Sequence, residues 1–188
     1  MSPFPLQALL AEVVDFLERR RIGYMIMGGV AVRFWGIPRP TFDLDFTLSL
    51  ENGQFPNLGA DLQAAGFTLP EIHAKGFLDE LAGMKKFAVT RFLDGREVRV
   101  DLFLVTSRYQ KEAFGRRVRK SIDGLDASFI TPEDLILHKL IAGRDRDKAD
   151  VSDLLWMNPG LDLAYLRTWA AALGRTADLE RKLAELRP

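Results

Sequence analysis

An α+β domain is the fold class this sequence predicts, and three observations predict it. Strand-like and helix-like segments mix up to about residue 130; beyond residue 131 every segment reads as helix; and no cysteine pairing or membrane-length apolar run imposes another architecture. The 188 residues fit one domain, and a chain of this size buries about 70% of the surface its unfolded form exposes. We expect residues 1–130 to form an α/β core and residues 131–188 a helical portion packed on it, as a single structural unit.

The elements follow in order. Leu6, Leu9, Leu10, Val13, Val14 and Leu17 share one helical face, with Glu12, Glu18 and Arg19 off it, so the chain opens with an amphipathic helix. Tyr24–Met27 is an apolar run too short for a helix and suited to a buried strand. Gly28-Gly29 breaks it, and Val30–Trp35 continues as helix to Gly36. Pro38-Arg-Pro40 forces extended backbone. Thr41–Leu48 then alternates, with Phe42, Leu44, Phe46 and Leu48 on one face and Asp43, Asp45 and Thr47 on the other. Leu58, Leu62 and Ala65 mark a helix that stops at Gly66. Phe87–Leu93 and Val98–Val105 flank Asp94-Gly95, the signature of a hairpin. In the second of these strands Arg99, Asp101 and Phe103 oppose the valine–leucine face. Thr131-Pro-Glu-Asp134 reads as a helix start, with a Thr cap, Pro in the first position and acids in the first turn. That helix runs to Gly143, and Asp147–Trp156, Leu163–Leu173 and Asp178–Leu186 are three more.

Composition excludes several functions. Hydrophobic residues are 47% and charged residues 28%, as in a folded globular protein; Lys+Arg 26 balance Asp+Glu 26, so no whole-molecule field draws the chain to nucleic acid or anionic membrane. With zero cysteines there is no thiolate metal site and no Cys nucleophile. The first residues lack a basic export signal, and no apolar stretch approaches the roughly 20 residues of a membrane helix. A cytoplasmic protein without membrane contact is expected.

Asp43 and Asp45, two apart on a strand, project side by side and repel each other unless a cation or proton offsets the charge. Carboxylates at this spacing suit Mg²⁺, which takes a few protein oxygens plus substrate phosphates. Asp101 is a third ligand if its strand neighbours the first. Three carboxylates around two metal ions meet the requirement of phosphoryl transfer. The Gly28-Gly29 turn, between a strand and a helix N-terminus, offers free N–H groups to an anion. Each feature alone has a plainer reading, a solvated strand face for the acids and turn geometry for the glycines. Their combination in this order is the stronger signal.

Gly28-Gly29-Val-Ala-Val, then Arg39-Pro-Thr-Phe-Asp43-Leu-Asp45, then Val100-Asp101-Leu102 resembles the nucleotidyltransferases of the DNA polymerase beta superfamily. The segment from Thr131 through Lys139, Gly143, Arg144, Asp147 and Asp150 to Asp153 is similar to AbiEii-type (type IV) toxin nucleotidyltransferases. The resemblance covers roughly residues 22–155. It implies a short mixed sheet with flanking helices, Asp43, Asp45 and Asp101 as catalytic metal ligands for two Mg²⁺, and an NTP substrate contacted by Gly28, Gly29, Arg39, Thr41 and Lys139. One departure is Gly29, where many superfamily members carry a serine whose hydroxyl binds phosphate. The implied reaction moves a nucleoside monophosphate to a hydroxyl acceptor. An RNA-modifying toxin with tRNA as acceptor and a cognate antitoxin is the branch-level expectation. A small-molecule adenylyltransferase of the antibiotic-modifying type and a non-catalytic nucleotide-binding module share the same motifs.

Other residues have blander readings. Lys139 sits among apolar neighbours, so its stem is expected to pack while its ammonium reaches an opening. Asp150 reads equally as an exposed charge-balancing residue, and Arg144–Lys148 as a solvated helix start. Arg108, Lys111, Arg116, Arg117, Arg119 and Lys120 form the basic cluster, suited either to RNA phosphates or to an edge strand guarded by positive charge. His73 and His138 lack partners at metal spacing, and Trp35, Trp156 and Trp169 read as core.

Overall fold

The structure, a computed structural model, describes residues 5–51, 54–81 and 83–186. The order is α1 (Pro5–Arg19), β1 (Gly23–Met27), α2 (Gly28–Trp35), β2 (Asp43–Ser49), α3 (Gln54–Ala64), α4 (Glu71–Ala74), β3 (Asp79–Leu81), β4 (Met84–Leu93), β5 (Arg96–Leu104) and α5 (Arg108–Arg116). It continues with β6 (Val118–Ile122), β7 (Leu125–Phe129), α6 (Pro132–Ala142), α7 (Asp145–Met157), α8 (Leu163–Ala172) and α9 (Thr176–Glu185). The seven strands form one mixed sheet in the order β3-β4-β5-β2-β1-β7-β6. β2 pairs with β5, and β1 with β7, in parallel; the remaining pairs are antiparallel.

The apolar stripe of α1 is buried through Leu9, Leu10, Val13, Val14 and Leu17, and one face of β2 through Leu44, Phe46 and Leu48. Asp94 (φ 46°) and Gly95 (φ 77°) form the β4–β5 hairpin, both with the positive φ that matches the twist of the strands. Thr131 caps α6 by accepting from the Asp134 backbone N–H at 3.2 Å, and Gly143 ends it at φ 66°. Leu135, Ile136 and Leu137 are fully buried, so α6 is the central helix of the C-terminal portion, with α7 and α8 against it.

Several expectations needed adjustment. α2 begins at Gly28 itself, because the positive φ of Gly28 (63°) turns the chain directly out of β1. β2 begins at Asp43, and Phe42 is 75% exposed instead of sharing the buried face. Trp156 is likewise exposed (67%), whereas Trp35 is anchored by its indole N–H donating to the Ile130 carbonyl at 2.8 Å. The segments α4, β3, α5 and β7 lie where no regular element was expected, while β6 is an edge strand at Arg119 and Lys120, the second of the two readings of the basic cluster.

Candidate functional site

The parallel pairing of β2 with β5 sets Asp45 directly opposite Asp101, and Asp43 opposite Arg99. On the other side of β2, Asp45 is opposite Met27, the last residue of β1, so Gly28 lies directly beside it. The contact is tight: a Cβ on Gly28 would stand 2.6 Å from the Asp45 Cγ and closer still to its Oδ2. Only glycine meets both the positive φ and this approach. Burial first, and then the charges of Asp101 and Asp43, push the Asp45 carboxyl up to about 6; Lys139 and Lys86 act in the opposite direction. Asp101 is buried and accepts from Lys86 Nζ at 2.8 Å and Arg99 Nε at 3.0 Å. Thr47, next on this face, is buried and donates to the Met27 sulfur at 2.9 Å. Among the described residues, no three His, Asp or Glu side chains stand arranged to hold a metal ion as they are. The donor set is nonetheless all oxygen, and an added cation would relieve the charge crowding at Asp45.

The acids open into a cleft of about 110 Å³ that also involves Gly28, Phe103, His138, Lys139 and Arg144. Lys139 is 6% exposed, and its ammonium lies between Asp147 (2.9 Å) and Asp150 (2.8 Å). It therefore does not reach freely into an opening. Two of its three N–H groups are taken, and its charge is felt at Asp45. Asp150 also accepts a two-pronged contact from Arg39, Nε to Oδ1 at 2.7 Å and Nη2 to Oδ2 at 2.8 Å. Arg144 Nε donates to Asp147 at 2.6 Å. Burial raises the pKa of Asp147 and Asp150, but hydrogen bonds and charge from Arg39, Lys139 and Arg144 outweigh it and hold both below the usual carboxylate range. The expectation of a solvated helix start at residues 144–148 thus holds for Asp145 and Lys148, which pair in solvent, and fails for Asp147, which is buried; the reading of Asp150 as an exposed charge-balancing residue fails likewise, since it too is buried.

Thr41 stands over the glycine turn: a Cβ on Gly29 would lie 2.7 Å from the Thr41 Cβ and nearer to its Oγ1. His73 is tied to its own loop, with Nδ1 2.9 Å from the Phe77 carbonyl. The basic cluster is divided. Arg108, Lys111 and Arg116 are on α5, where Arg116 faces Asp134 and Glu133. Arg119 and Lys120 are on β6, the sheet's edge, and Arg119 pairs with Glu18.

No protein-family model matches the chain, and no curated protein matches it. Solved structures do. An antigenic nucleotidyltransferase-like protein from Paracoccidioides brasiliensis superimposes with a TM-score of 0.60 at 20% identity, over 96% of this chain and 92% of that one. ANT(2'')-Ia in complex with adenylyl-2''-tobramycin gives 0.56 at 14% identity, over 88% and 95%. The solution structure of the antibiotic-resistance factor ANT(2'')-Ia gives 0.57 at 15%, over 97% and 100%. This is a nucleotidyltransferase-like fold.

Within this nucleotidyltransferase-like fold, all eight sequence-derived site residues gather at two facing structures. Asp43, Asp45, Asp101, Gly28, Gly29 and Thr41 lie at the ends of β1 and β2 and on β5, while Arg39 and Lys139 join through Asp150. Sequence reasoning missed Lys86, Arg99, Asp147 and His138. Strand alternation could have found Lys86, since β4 pairs it with Phe103 beside Asp101. His138 carries no signal in sequence, because its distinction is an absence of partners: among the described residues, both ring nitrogens are buried and unbonded.

Proposed function

We propose that this chain is a Mg²⁺-dependent nucleotidyltransferase that moves a nucleoside monophosphate from an NTP to a hydroxyl acceptor and releases pyrophosphate. The in-register pairing of Asp45 with Asp101, with Gly28 against Asp45, is the observation that carries the reading. Asp43, Asp45 and Asp101 would hold the metal. When bound, Mg²⁺ supplies Lewis-acid neutralisation of the charge on the transferred phosphoryl group and its leaving group.

The chain's own groups do the rest. The first N–H groups of α2 donate to the triphosphate. Thr41 Oγ1 occupies the space a serine at position 29 would use, so its hydroxyl takes the role of the missing serine. Arg39, Lys139 and Arg144 present three cations against the two carboxylates of Asp147 and Asp150, an excess of positive charge beside the acids. Asp101, held by Lys86 and Arg99, would accept the proton of the attacking hydroxyl.

The test is incubation with Mg²⁺ and each α-labelled NTP, offering total RNA, protein and small-molecule acceptors separately. Label should pass to one acceptor class and be lost with Asp43→Ala or Asp45→Ala. The similarity of residues 131–155 to AbiEii-type toxins directs the RNA arm to tRNA and the genetic test to a neighbouring antitoxin gene. ANT(2'')-Ia, solved with adenylyl-2''-tobramycin, motivates the aminoglycoside arm. NTP binding without transfer in any arm would leave a nucleotide-binding module and refute the enzyme.

A further inference from the structure

We propose that Arg146 takes the β- and γ-phosphates of the bound nucleotide on its guanidinium, and so makes the site select an NTP over nucleotides with fewer phosphates. The proposal rests on the nucleotidyltransferase reading and adds a specificity-determining residue to it.

The sheet contributes Asp43, Asp45 and Asp101 to the cleft; the helical portion contributes the cations Lys139 from α6 and Arg144 and Arg146 from α7. Most cations around the site are committed to carboxylates. Lys139 lies between Asp147 and Asp150, and Arg144 holds Asp147 through Nε (2.6 Å) and Nη2 (3.3 Å). Arg39 holds Asp150, and Lys86 and Arg99 both donate to Asp101. Asp147 is 0% exposed and Asp150 2%. A cation that left either of them to follow a ligand would strand a buried carboxylate, which is strongly destabilising. These groups set the field of the cleft but are not free to move with a substrate.

Arg146 differs from all of them. It borders the same cleft, it is exposed, and among the described residues its side chain has no hydrogen bond or ion pair. The acid before it in sequence does not take it, because Asp145 pairs with Lys148 at 2.8 Å and its side chain is 98% exposed. Arg146 is therefore the cation of the cleft that can close on an anion without breaking a pair.

The reaction fixes which anion that is. The transferred α-phosphate must meet the metal at the acids, so the β- and γ-phosphates are the part that extends beyond them. A triphosphate carries more negative charge than Mg²⁺ neutralises. Charge grows further on the leaving pyrophosphate as the α-phosphorus–oxygen bond breaks and its electrons pass to that group. The acceptor offers a neutral hydroxyl and calls for no cation. A planar guanidinium with five N–H donors can hold oxygens of two adjacent phosphates at once, a geometry that an ammonium does not reproduce.

The experiment uses the full chain as wild type, Arg146→Ala, Arg146→Lys and, as a control on the same helix, Lys148→Ala. With Mg²⁺ present, titration calorimetry gives Kd for the best-bound of the four NTPs, for the matching NDP and NMP, and for inorganic pyrophosphate. Tm is measured without nucleotide. Arg146→Ala should weaken NTP and pyrophosphate binding by about 10-fold and leave NMP binding within about 2-fold of wild type. Arg146→Lys, which keeps the charge and loses the fork, should fall between. Lys148→Ala should match wild type throughout, and the Tm of Arg146→Ala should stay within about 2 °C of wild type. An unchanged NTP affinity in Arg146→Ala overturns the proposal, and so does an equal loss for NTP and NMP. An equal loss in Lys148→Ala overturns it as well, by showing a general field effect, as does a Tm lowered by more than that margin, which would show a structural partner. In each of those cases label transfer by wild type keeps the nucleotidyltransferase reading; wild type that binds neither NTP nor pyrophosphate overturns both.

Discussion

Asp45→Asn tests the charge balance of the acid site without touching its shape. Folding carries the Asp45 carboxyl from 3.8 to about 6, through burial and the neighbouring Asp101 and Asp43. Between those values the folded protein keeps a proton that the unfolded chain gives up. The stability this group contributes is therefore greatest at low pH and is lost as pH rises through about 6. At about 1.4 kcal/mol per pH unit, the charged carboxylate costs the metal-free fold about 3 kcal/mol at pH 7.5. Asparagine has nearly the same outline and no charge to desolvate. We expect Asp45→Asn to be more stable than wild type by about 1–3 kcal/mol at pH 7.5, a shift of about 1 M in urea midpoint. The difference should shrink toward zero at pH 4. Circular dichroism through urea titrations in chelator, at half-unit steps from pH 4 to 8, provides the measurement. Excess Mg²⁺ should then stabilise wild type more than the variant. A variant less stable than wild type at pH 7.5, or a gain that stays constant down to pH 4, would refute the reasoning, because neither follows from a strained charge.

Three further substitutions probe the surrounding structure. Gly28→Ala adds a Cβ at φ 63° and against Asp45, and should lower stability by about 1–3 kcal/mol by thermal melting while abolishing NTP binding. Asp150→Asn removes the shared partner of Arg39 and Lys139; breaking a buried pair costs about 3–5 kcal/mol in urea, and because the Asp150 pKa is lowered the loss should persist from pH 5 to 8. Lys139→Ala should weaken NTP binding measured well below the melting point, whereas Lys148→Ala, whose pair with Asp145 is exposed, should change stability by no more than about 1 kcal/mol and leave binding intact. Equal small effects at both lysines would show Lys139 to be no more than a structural charge.

What the sequence disclosed depended on whether the signal was local. The Asp94-Gly95 hairpin, the Thr131 cap and the Gly143 stop are set by a few adjacent residues, and all three were legible. Asp43 and Asp45 showed on one strand face, and Asp101 on another, but their meeting needed the β2–β5 pairing, which composition cannot specify. Asp123-Gly124, with φ 50° and 83°, makes the same kind of turn as Asp94-Gly95, and was the available signal for the missed β6–β7 hairpin. Its strands hid because Arg119 and Lys120 interrupt the expected apolar alternation on an edge that faces solvent. α5 hid for a similar reason: it is rich in Arg and Lys, and its Ser107 capping box with Gln110 carries more information than its apolar residues do. Asp147 and Asp150 looked solvated because they sit in an alternating run of charge. Burial was decided by Lys139, 8 residues before Asp147, and by Arg39, 111 residues before Asp150, and neither pairing can be read from neighbours in the chain.

The helical portion completes the site, and this bears on whether residues 1–130 could fold alone. Within that segment the acids of β2 and β5 have Lys86 and Arg99 as cations, but among the described residues Arg39 finds its carboxylate only on α7. Trp35 at the end of α2 has its carbonyl satisfied by the Asn158 side chain at 2.8 Å, and a Cβ on Gly36 would meet Leu154 at 3.3 Å. Removing residues 131–188 would bare the core surfaces now covered by Leu135, Ile136, Leu137, Val151 and Leu154, each fully buried. At about 1.5–3 kcal/mol for each large apolar side chain lost from the core, that covering amounts to about 8–15 kcal/mol, as large as the 5–15 kcal/mol margin by which a domain is stable. We therefore expect a 1–130 fragment to bind an apolar dye and to unfold without a cooperative transition, while the full chain unfolds in one step. A fragment with a sigmoidal urea transition of its own would show that the sheet and its first helices are self-sufficient, and that the cations of α6 and α7 were added to a site already formed.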